Sequence, residues 1–502
     1  EMDVSQTGRK PLVACEYTHA MGNSNGSLKE MWDIIHGNPR WMGAFIWDWM
    51  DQGLWMEDGD CGQYVYGGYF GEKWHDGNFC LNGVISADQT VKPVMYECKY
   101  VFQPFYFTDF DPKKKSLRIH QRRAFAPYSQ YDFSWELLED GKRVTQGQLN
   151  PNEKGMAKIP VDFTPKSGKR YHLNCYAKLK SETSWASAGY SIAQEQFSWP
   201  NPQPLSLVEA GSSTALSLEK GDQQWIISNE HLQVRINTQT GLIDKYIVGG
   251  QTLITQALKP NFWRAPTDND RSRQWDTPNT LTFWKAADQA PKKISLQESE
   301  ISPDLIKVTV QHQLGGGEAV HIASYSIYGN GTIEVENQLQ ADVELPWIPR
   351  IGMEMGINTS LATIKWLGKG PHENYIDRNS GAFVGLYQRS LKDFQTDYVY
   401  PQANGNRTGT SWARFLNEAG QGLEIAGLDF EFSAHSYTNE NLEAATLVCE
   451  LDDTDYITVN IDHKQMGVGG FNSWSWKAAP LEKHRIKAGN YRYVITISPV
   501  GL

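Results

Sequence analysis

The chain has 502 residues, of which 40% are hydrophobic and 21% are charged, so it has enough apolar material for about three folded domains. The formal net charge of −11 argues against a nucleic-acid-binding protein, because such proteins need basic surfaces. Apolar runs stay well below the roughly 18 residues that a membrane-spanning helix needs, and the six cysteines contain no CxxC pair typical of structural zinc.

The first 105 residues alternate short apolar strands with a helix. Leu12–Cys15 and Gly43–Trp47 are predicted to be buried strands, and the amphipathic stretch Ser27–His36 between them a helix. This order and spacing are typical of the βαβ unit of a parallel sheet or barrel. Polar residues stand where each strand ends, Glu16 after the first and Asp48 after the second. In barrels, that end of the strands carries the chemistry.

From about residue 106 the pattern changes to short strands without helices. The predicted strands are Ser116–His120, Asp132–Leu138, Lys142–Leu149, Lys158–Phe163 and Tyr171–Leu179. Their spacing of about ten residues predicts an immunoglobulin-like β-sandwich of about 100 residues. The proline-rich stretch 198–204 ends it, because proline cannot pair within a central strand.

Residues 205–502 are again almost wholly β. The predicted strands include Trp225–Ile227, Leu232–Asn237, Ile306–Gln313, Thr332–Gln338, Thr363–Trp366, Leu423–Gly427, Ile457–Ile461 and Tyr491–Ile497. Nearly 300 residues of strands without a clear break indicate one large β-sandwich. We therefore predict three domains, at 1–105, 106–204 and 205–502.

Glu16 stands out because of the residues around it. A carboxylate at a barrel rim can act as a nucleophile, a general acid or base, or a metal ligand, but it can equally be a salt-bridge partner. His19 follows three residues later, Trp47 closes the neighbouring strand, and Phe79 and Asn82 follow on a further loop. A carboxylate with aromatic walls and polar donors is typical of a sugar cleft. The 18 tryptophans agree with this, since an indole face stacks on the apolar face of a sugar.

Six motifs resemble those of the β-galactosidases of glycoside hydrolase family 2, of the large bacterial lactose-cleaving type. They are CEYTHAMGNS (15–24), FIWDWMDQ (45–52), YGGYFGE (66–72), FCLNG (79–83), GKGPHENYIDR (368–378) and MGVGGFNSWS (466–475). Six motifs in one order, over nearly the whole chain, are far more specific than any single one. The resemblance implies the last strands of a (β/α)8 barrel, then an immunoglobulin-like sandwich, then a large β-sandwich. It also implies retaining hydrolysis of terminal β-D-galactosides such as lactose, through a covalent galactosyl-enzyme intermediate.

The resemblance also implies roles for individual residues. Glu16 matches the catalytic nucleophile, and His19 matches a histidine that hydrogen-bonds a sugar hydroxyl and stabilises the transition state. Trp47 matches the tryptophan beneath the galactose, and Trp474 matches one from the last domain that stacks on the second sugar. Since the nucleophile must be ionised at neutral pH, it needs hydrogen-bond donors, and His19 and Asn23 are candidates.

Two cations are implied by the same resemblance. The backbone carbonyl of Phe79 and the side-chain oxygen of Asn82 match ligands of a sodium ion beside the galactose, which makes Asn82 part of the substrate site as well. Magnesium is expected in the complete enzyme, with ligands upstream of this chain. The stretch Asp268–Ser272 matches the start of a mobile loop near the entrance. Arg271-Ser272-Arg273 departs from the small apolar residues and glycine of the family at this point, so loop closure is not carried over.

One half of the catalytic pair is missing. Retaining glycosidases use two carboxyl groups about 5–5.5 Å apart, and in this family the acid/base Glu precedes the nucleophile by several barrel strands. Only 15 residues precede Glu16. Asp48, Asp51 and Glu373 are interpreted as structural and do not replace it. We therefore expect the fragment alone to be inactive, and its partner to be the missing N-terminal half of the same protein.

Two alternatives stay open. One is another family 2 activity, β-glucuronidase or β-mannosidase, although the SWSW segment favours a galactosidase. The other is a non-catalytic carbohydrate-binding β-sandwich fragment.

The remaining expectations concern one residue, the partners and the compartment. Trp476 is interpreted as a residue that packs in the core of the last domain. The resemblance implies a homo-oligomer, and no nucleic-acid or membrane partner is expected. The cytoplasm is favoured, and the periplasm also fits because any signal peptide would lie upstream of Glu1.

Overall fold

A computed structural model describes residues 10–57, 62–122, 127–200, 214–272, 281–289 and 291–502, and every structural statement below refers to these ranges. The chain is mainly β and multidomain. The described ranges contain 27 strands and five α-helices, and the strands form five separate sheets. None of these helices is long and apolar enough to span a bilayer.

The first sheet is a parallel pair formed by β1 (Leu12–Tyr17) and β2 (Trp41–Ile46), with α1 (Leu28–Gly37) between them. The predicted βαβ unit is therefore present. The prediction that both strands are buried is wrong: Val13 is 51% exposed and Phe45 67%. The reason is that, within the described chain, each strand has only the other as a neighbour.

Helix α1 forms because its apolar side chains recur on one face. Leu28, Met31 and Ile35 are all buried, at the i, i+3, i+7 spacing of an amphipathic helix. The remaining elements of this region are the hairpin of β3 (Leu54–Met56) and β4 (Gln63–Val65), a 3₁₀ turn at Gly77–Cys80, and α2 (Val94–Val101).

The next seven strands form two antiparallel sheets around one core. Strands β5 to β11 are Phe105–Asp111, Ser116–Gln121, Tyr131–Glu139, Lys142–Leu149, Met156–Lys158, Tyr171–Leu179 and Ser191–Trp199. The sheet orders are β5-β6-β9 and β11-β10-β7-β8, and Trp135, Leu173 and Cys175 lie in the core between them. The predicted strand Lys158–Phe163 is wrong beyond its first residue. Pro160 has no N–H to donate to a ladder, although Ile159 is still buried.

The largest sheet has 16 strands. Strands β12 to β27 are Ser217–Lys220, Gln224–Ser228, Leu232–Asn237, Ile243–Val248, Gln251–Asn261, Lys292–Ser302, Leu305–Leu314, Ala319–Tyr328, Ile333–Ala341, Arg350–Asn358, Thr363–Gly370, Phe383–Ser390, Arg407–Leu416, Gly422–His435, Tyr456–Gln465 and Tyr491–Val500. The short helices α3 (Thr282–Gln289), α4 (Leu391–Phe394) and α5 (Asn439–Ala444) lie in its connections.

All eight strands predicted in this region exist, but several are longer than predicted. The predicted strand Leu423–Gly427 belongs to β25, which continues to His435. It continues because its polar residues Ser433 and His435 are themselves buried, so the apolar pattern understates its length. The domain boundaries at 105 and 204 remain predictions.

Candidate active site

The end of β1 has an unusual backbone. Glu16 and Thr18 have φ angles of +55° and +45°, in the left-handed region that L residues rarely adopt. Such conformations cost free energy and cluster at functional sites, where the surrounding structure maintains them. Thr18 is fully buried, whereas the Glu16 side chain is exposed. The turn therefore directs Glu16 away from the protein interior, at the position where the sequence predicts a nucleophile.

Backbone hydrogen bonds bring three predicted site segments together. The carbonyl of Trp47 accepts from the N–H of Ala20 at 2.7 Å, and the N–H of Trp47 donates to the carbonyl of Tyr17 at 3.3 Å. The next residue, Asp48, donates its N–H to the carbonyl of Asn82. The ends of β1 and β2 and the loop around Asn82 thus share one edge of the fragment. Trp47 is 38% exposed there, so its ring is accessible to a ligand.

His19 lies in an aromatic cluster that unites three predicted site residues. Its ring is 5.3 Å from that of Phe79 and 5.2 Å, edge-on, from that of Trp474. The side chain is only 2% exposed, and burial lowers the pKa of His19 to about 4. The imidazole is therefore neutral at neutral pH. Its Nδ1 lies 2.9 Å from the hydroxyl of Ser473.

The predicted donors to Glu16 are wrong. Asn23 donates its side-chain amide to the carbonyl of Ala403 at 2.7 Å, and His19 is bonded to Ser473. The Glu16 side chain makes no hydrogen bond or ion pair within the part of the chain that the structure describes. The reason is that the loop following β1 is buried against the large β region, where the Asn23 amide nitrogen and Nδ1 of His19 have their partners.

Close packing explains the glycines of that loop. A Cβ added to Gly26 would lie 2.0 Å from a carboxylate oxygen of Asp377. That carboxylate accepts the N–H groups of Val468 and Gly469 at 3.0 and 2.9 Å, and Gly26 donates its own N–H to the carbonyl of Gly469. Asp377 thus fixes the chain that leads to Trp474 against the loop that carries His19.

Phe79 and Asn82 have the oxygen chemistry that a sodium site needs. The Asn82 amide nitrogen lies 3.1 Å from the Phe79 carbonyl, and the Asn82 side-chain oxygen is buried without a hydrogen-bond partner. Rotating the amide by 180° would place two oxygens side by side, which a cation between them would stabilise. A buried acceptor without a partner is costly, so these residues fit a small cation. The described ranges contain no group of three or more His, Cys, Asp or Glu side chains placed to hold a metal.

The three other carboxylates considered from the sequence have structural partners. Asp48 accepts from the N–H of Trp49 and from Gln52. Asp51 and Lys92 form a buried ion pair at 2.7 Å, and Glu373 accepts from Arg378 and from the hydroxyl of Tyr398, both at 2.8 Å. None of the three is free to act as an acid in the cleft.

The segment predicted to begin a mobile loop is anchored. Asp268 accepts from Asn78 at 2.7 Å and from Gln402 at 2.9 Å, and Ser272 donates its hydroxyl to the carbonyl of Ser475 at 3.2 Å. Arg273 lies outside the described residues. The interpretation of Trp476 as packing is wrong, because its side chain is 60% exposed.

Sequence reasoning missed Ser473, Asp377 and Asn78. Ser473 stands beside Trp474 in a motif that was recognised, but its contact with His19 spans 454 positions. No local pattern in the sequence announces such a pair.

The chain matches three family descriptions. "Beta galactosidase small chain" covers residues 228–497, "Glycosyl hydrolases family 2, TIM barrel domain" covers 2–107, and "Beta-galactosidase, domain 4" covers 117–200. Similar curated proteins include beta-galactosidases of Priestia megaterium (34% identical, 94% of this chain, 46% of the relative), Photobacterium profundum (34%, 98%, 49%) and Vibrio cholerae (30%, 97%, 48%). The chain spans about half the length of these relatives.

These matches show that the chain belongs to family 2 of the glycosyl hydrolases, and the parallel strand pair that ends in Glu16 beside an aromatic cluster agrees with them. Within that family, the chain belongs to the β-galactosidases.

Proposed function

We propose that the complete protein is a retaining β-galactosidase and that this chain supplies its nucleophile. The observation that carries the proposal is the position of Glu16, which is exposed at the end of β1. The same edge holds the ring of Trp47 and the loop of Asn82, next to the cluster of His19, Phe79 and Trp474. The proposed domain order is the end of a (β/α)8 barrel, an immunoglobulin-like sandwich and a large β-sandwich.

In the proposed reaction, a Glu16 carboxylate oxygen bonds to the anomeric carbon while the bond to the leaving oxygen breaks. An acid from outside this chain gives its proton to that oxygen. Water then attacks the same carbon, passes a proton to the same acid, and releases Glu16 and galactose. This is the two-carboxyl mechanism of retaining glycosidases.

The other site residues bind and orient the sugar. Neutral His19 offers a hydrogen bond without adding charge, and the face of Trp47 stacks on the galactose ring. Trp474, 51% exposed, offers a face to the second sugar. A sodium ion held by Phe79 and Asn82 would supply a positive charge that accepts a sugar hydroxyl oxygen. Magnesium in the complete enzyme would use ligands outside this chain.

The partner we propose is the N-terminal half of the same protein. Large apolar side chains around the parallel pair are unusually exposed: Met42 at 73%, Phe45 at 67% and Leu54 at 62%. Several large apolar side chains exposed in one short region of the chain indicate a missing interface. Further barrel strands beside β1 and β2 would cover it and bring the acid. The chain alone should therefore be inactive, and the complete protein is proposed to be a homo-oligomer.

Covalent labelling tests the nucleophile. The complete protein, treated with a 2-fluoro-galactoside, should gain one galactosyl adduct on the peptide that contains Glu16, and the Glu16→Gln enzyme should gain none. An active Glu16→Gln enzyme would exclude this nucleophile, and sugar binding without any adduct would favour a non-catalytic binding module. A panel of nitrophenyl glycosides then separates β-galactosidase from β-glucuronidase and β-mannosidase.

A further inference from the structure

Ser473 has a position that none of the predicted roles uses. It lies in the loop that carries Trp474, is 6% exposed, and its hydroxyl is 2.9 Å from Nδ1 of His19. Within the described residues this is the only hydrogen bond of the Ser473 hydroxyl. A residue of the last domain therefore contacts a polar atom of the loop after β1 directly.

The direction of this hydrogen bond decides the state of the imidazole. The His19 side chain is 2% exposed and lies between two aromatic rings, which favours the neutral imidazole, and a neutral imidazole carries a proton on only one ring nitrogen. A buried polar hydrogen is costly without an acceptor, and Nδ1 of His19 is the one hydrogen-bond partner that the described structure offers to the Ser473 hydroxyl. With Ser473 as the donor, Nδ1 accepts and the ring proton lies on Nε2.

The other ring nitrogen is left free. Nε2 makes no hydrogen bond within the described chain and is absent from the buried polar atoms that lack a partner, so it retains access to solvent. The rings of Phe79 and Trp474 contact the imidazole and restrict its rotation. With Nδ1 held by Ser473, Nε2 becomes a donor of fixed direction that is open to solvent.

We propose that Ser473 is a positioning residue, which holds His19 in the Nε2–H tautomer and fixes the direction in which His19 donates. The use of that donor on a sugar oxygen rests on the proposed function, but the tautomer does not. The large β region thus helps to determine the state of a side chain in the barrel fragment, through one hydroxyl group.

The tautomer is measured directly by ¹⁵N NMR of the 502-residue chain with labelled histidine. The chain has 12 histidines, and the His19→Gln variant assigns the signal. The expected wild-type spectrum has a pyridine-like Nδ1 and a pyrrole-like Nε2 for His19. In Ser473→Ala these two shifts should converge as the tautomers mix, and Ser473→Thr, which keeps the hydroxyl, should restore them.

Ser475→Ala is the matched control for loop packing. Among the residues that the structure describes, its hydroxyl bonds only within the same loop, to Asn472 and to the N–H of Lys477. This variant should loosen the loop without changing the His19 tautomer. A wild-type Nδ1 that carries the proton would overturn the proposal. So would a Ser473→Ala spectrum equal to the wild type, or a Ser475→Ala variant that shifts His19 just as far.

Kinetics of the complete protein test whether the positioning of His19 by Ser473 affects turnover of the substrate. Ser473→Ala should lower kcat/KM for a nitrophenyl galactoside about tenfold, mainly through kcat, and Ser473→Thr should recover most of the loss. A changed tautomer without a kinetic effect would confirm the positioning of His19 but reject its use on substrate. The failure of the proposed function is therefore distinguishable from the failure of this inference.

Discussion

Asn78, in the 3₁₀ turn that also contains Phe79, donates its side-chain amide to the carboxylate of Asp268 in the large β region at 2.7 Å. The second carboxylate oxygen accepts from Gln402 at 2.9 Å, and Asp268 is only 7% exposed. Burial raises the pKa of Asp268, whereas Arg271 and these hydrogen bonds lower it. This carboxylate therefore joins the loop of the proposed cation site to the sandwich behind it.

Removing Asp268 should destabilise the protein strongly. Asp268→Ala removes the acceptor of one N–H of Asn78 and of one N–H of Gln402, whose amide keeps its bond to the carbonyl of Tyr400, at about 1–3 kcal/mol for each bond lost. Asn78→Ala leaves the carboxylate with Gln402 and should cost about half as much. Urea unfolding measures both changes. Asp453→Ala, at an exposed position, is the control. An Asp268→Ala variant as stable as this control would show that the Asp268 carboxylate does not stabilise the fold.

The contact between Glu30 of α1 and the C-terminal loop should depend on pH. Burial raises the pKa of Glu30, but hydrogen bonds from His484 at 2.8 Å and Lys483 at 2.7 Å outweigh it and hold the pKa at about 2. A carboxylate with a lowered folded-state pKa stabilises the fold above its unfolded pKa, and this stabilisation is lost as pH falls towards the folded pKa.

The wild type should therefore exceed Glu30→Gln in stability by about 1–2 kcal/mol at pH 6, a figure reduced for solvent screening. The difference should shrink between about pH 5 and pH 2. Denaturant midpoints across this range give the measurement. The exposed Glu344→Gln variant should follow the wild type throughout. A difference that does not change with pH would show that Glu30 acts through packing and not through its charge.

The sequence predicted what depends on local pattern. The strand–helix–strand unit follows from apolar periodicity, and the strand at Leu232–Asn237 is found with the bounds predicted. The predicted burial of β1 and β2 was wrong, since Phe45 is apolar but 67% exposed in the described chain, where β2 pairs only with β1. The burial of a strand depends on which other elements pack against it, and hydrophobic periodicity does not reveal those elements.

The sequence identified residues of the candidate site but not the hydrogen bonds between them and the rest of the protein. Motif resemblance named His19, Phe79 and Trp474, and the structure brings their rings together. The hydrogen-bond partners could not be predicted from the motifs, because Asn23 and His19 bond to residues 380 and 454 positions away in the sequence. Which donor faces which acceptor is decided by tertiary packing.

A second pH effect, of opposite sign, should come from Glu431. Glu431 lies opposite Asp462 in the pairing of β25 with β26, and both side chains are buried. Burial raises the pKa of Glu431 to about 8; the hydrogen bond from Asn406 lowers it, and the charge of Asp462 raises it further. The folded state therefore holds a proton that the unfolded chain releases near pH 4.5.

Stability should fall as the pH rises from about 4.5 to 8, by up to about 1 kcal/mol per pH unit where the slope is steepest. Glu431→Gln resembles the protonated form of Glu431, so this variant should lose less stability as the pH rises. The pH dependence that remains should come from Asp462. Denaturant midpoints from pH 5 to 9 test this, with the exposed Glu418→Gln as the control. An unchanged slope in Glu431→Gln would mean that this carboxyl is ionised in the fold.

The proposed cation site gives the last prediction, which needs only this chain. In Asn82→Asp, a carboxylate replaces an amide that is 5% exposed and lies beside the Phe79 carbonyl, so the fold should require a cation there. The melting temperature of this variant should rise when choline chloride is replaced by sodium chloride at equal ionic strength. The wild type should respond less, and Asn82→Ala, which lacks the side-chain oxygen, least of all. Asn152→Ala, in an exposed turn, is the control, and its melting temperature should respond to sodium as that of the wild type does. An equal sodium response in Asn82→Asp and Asn82→Ala would show that the ion does not bind at this pair of oxygens.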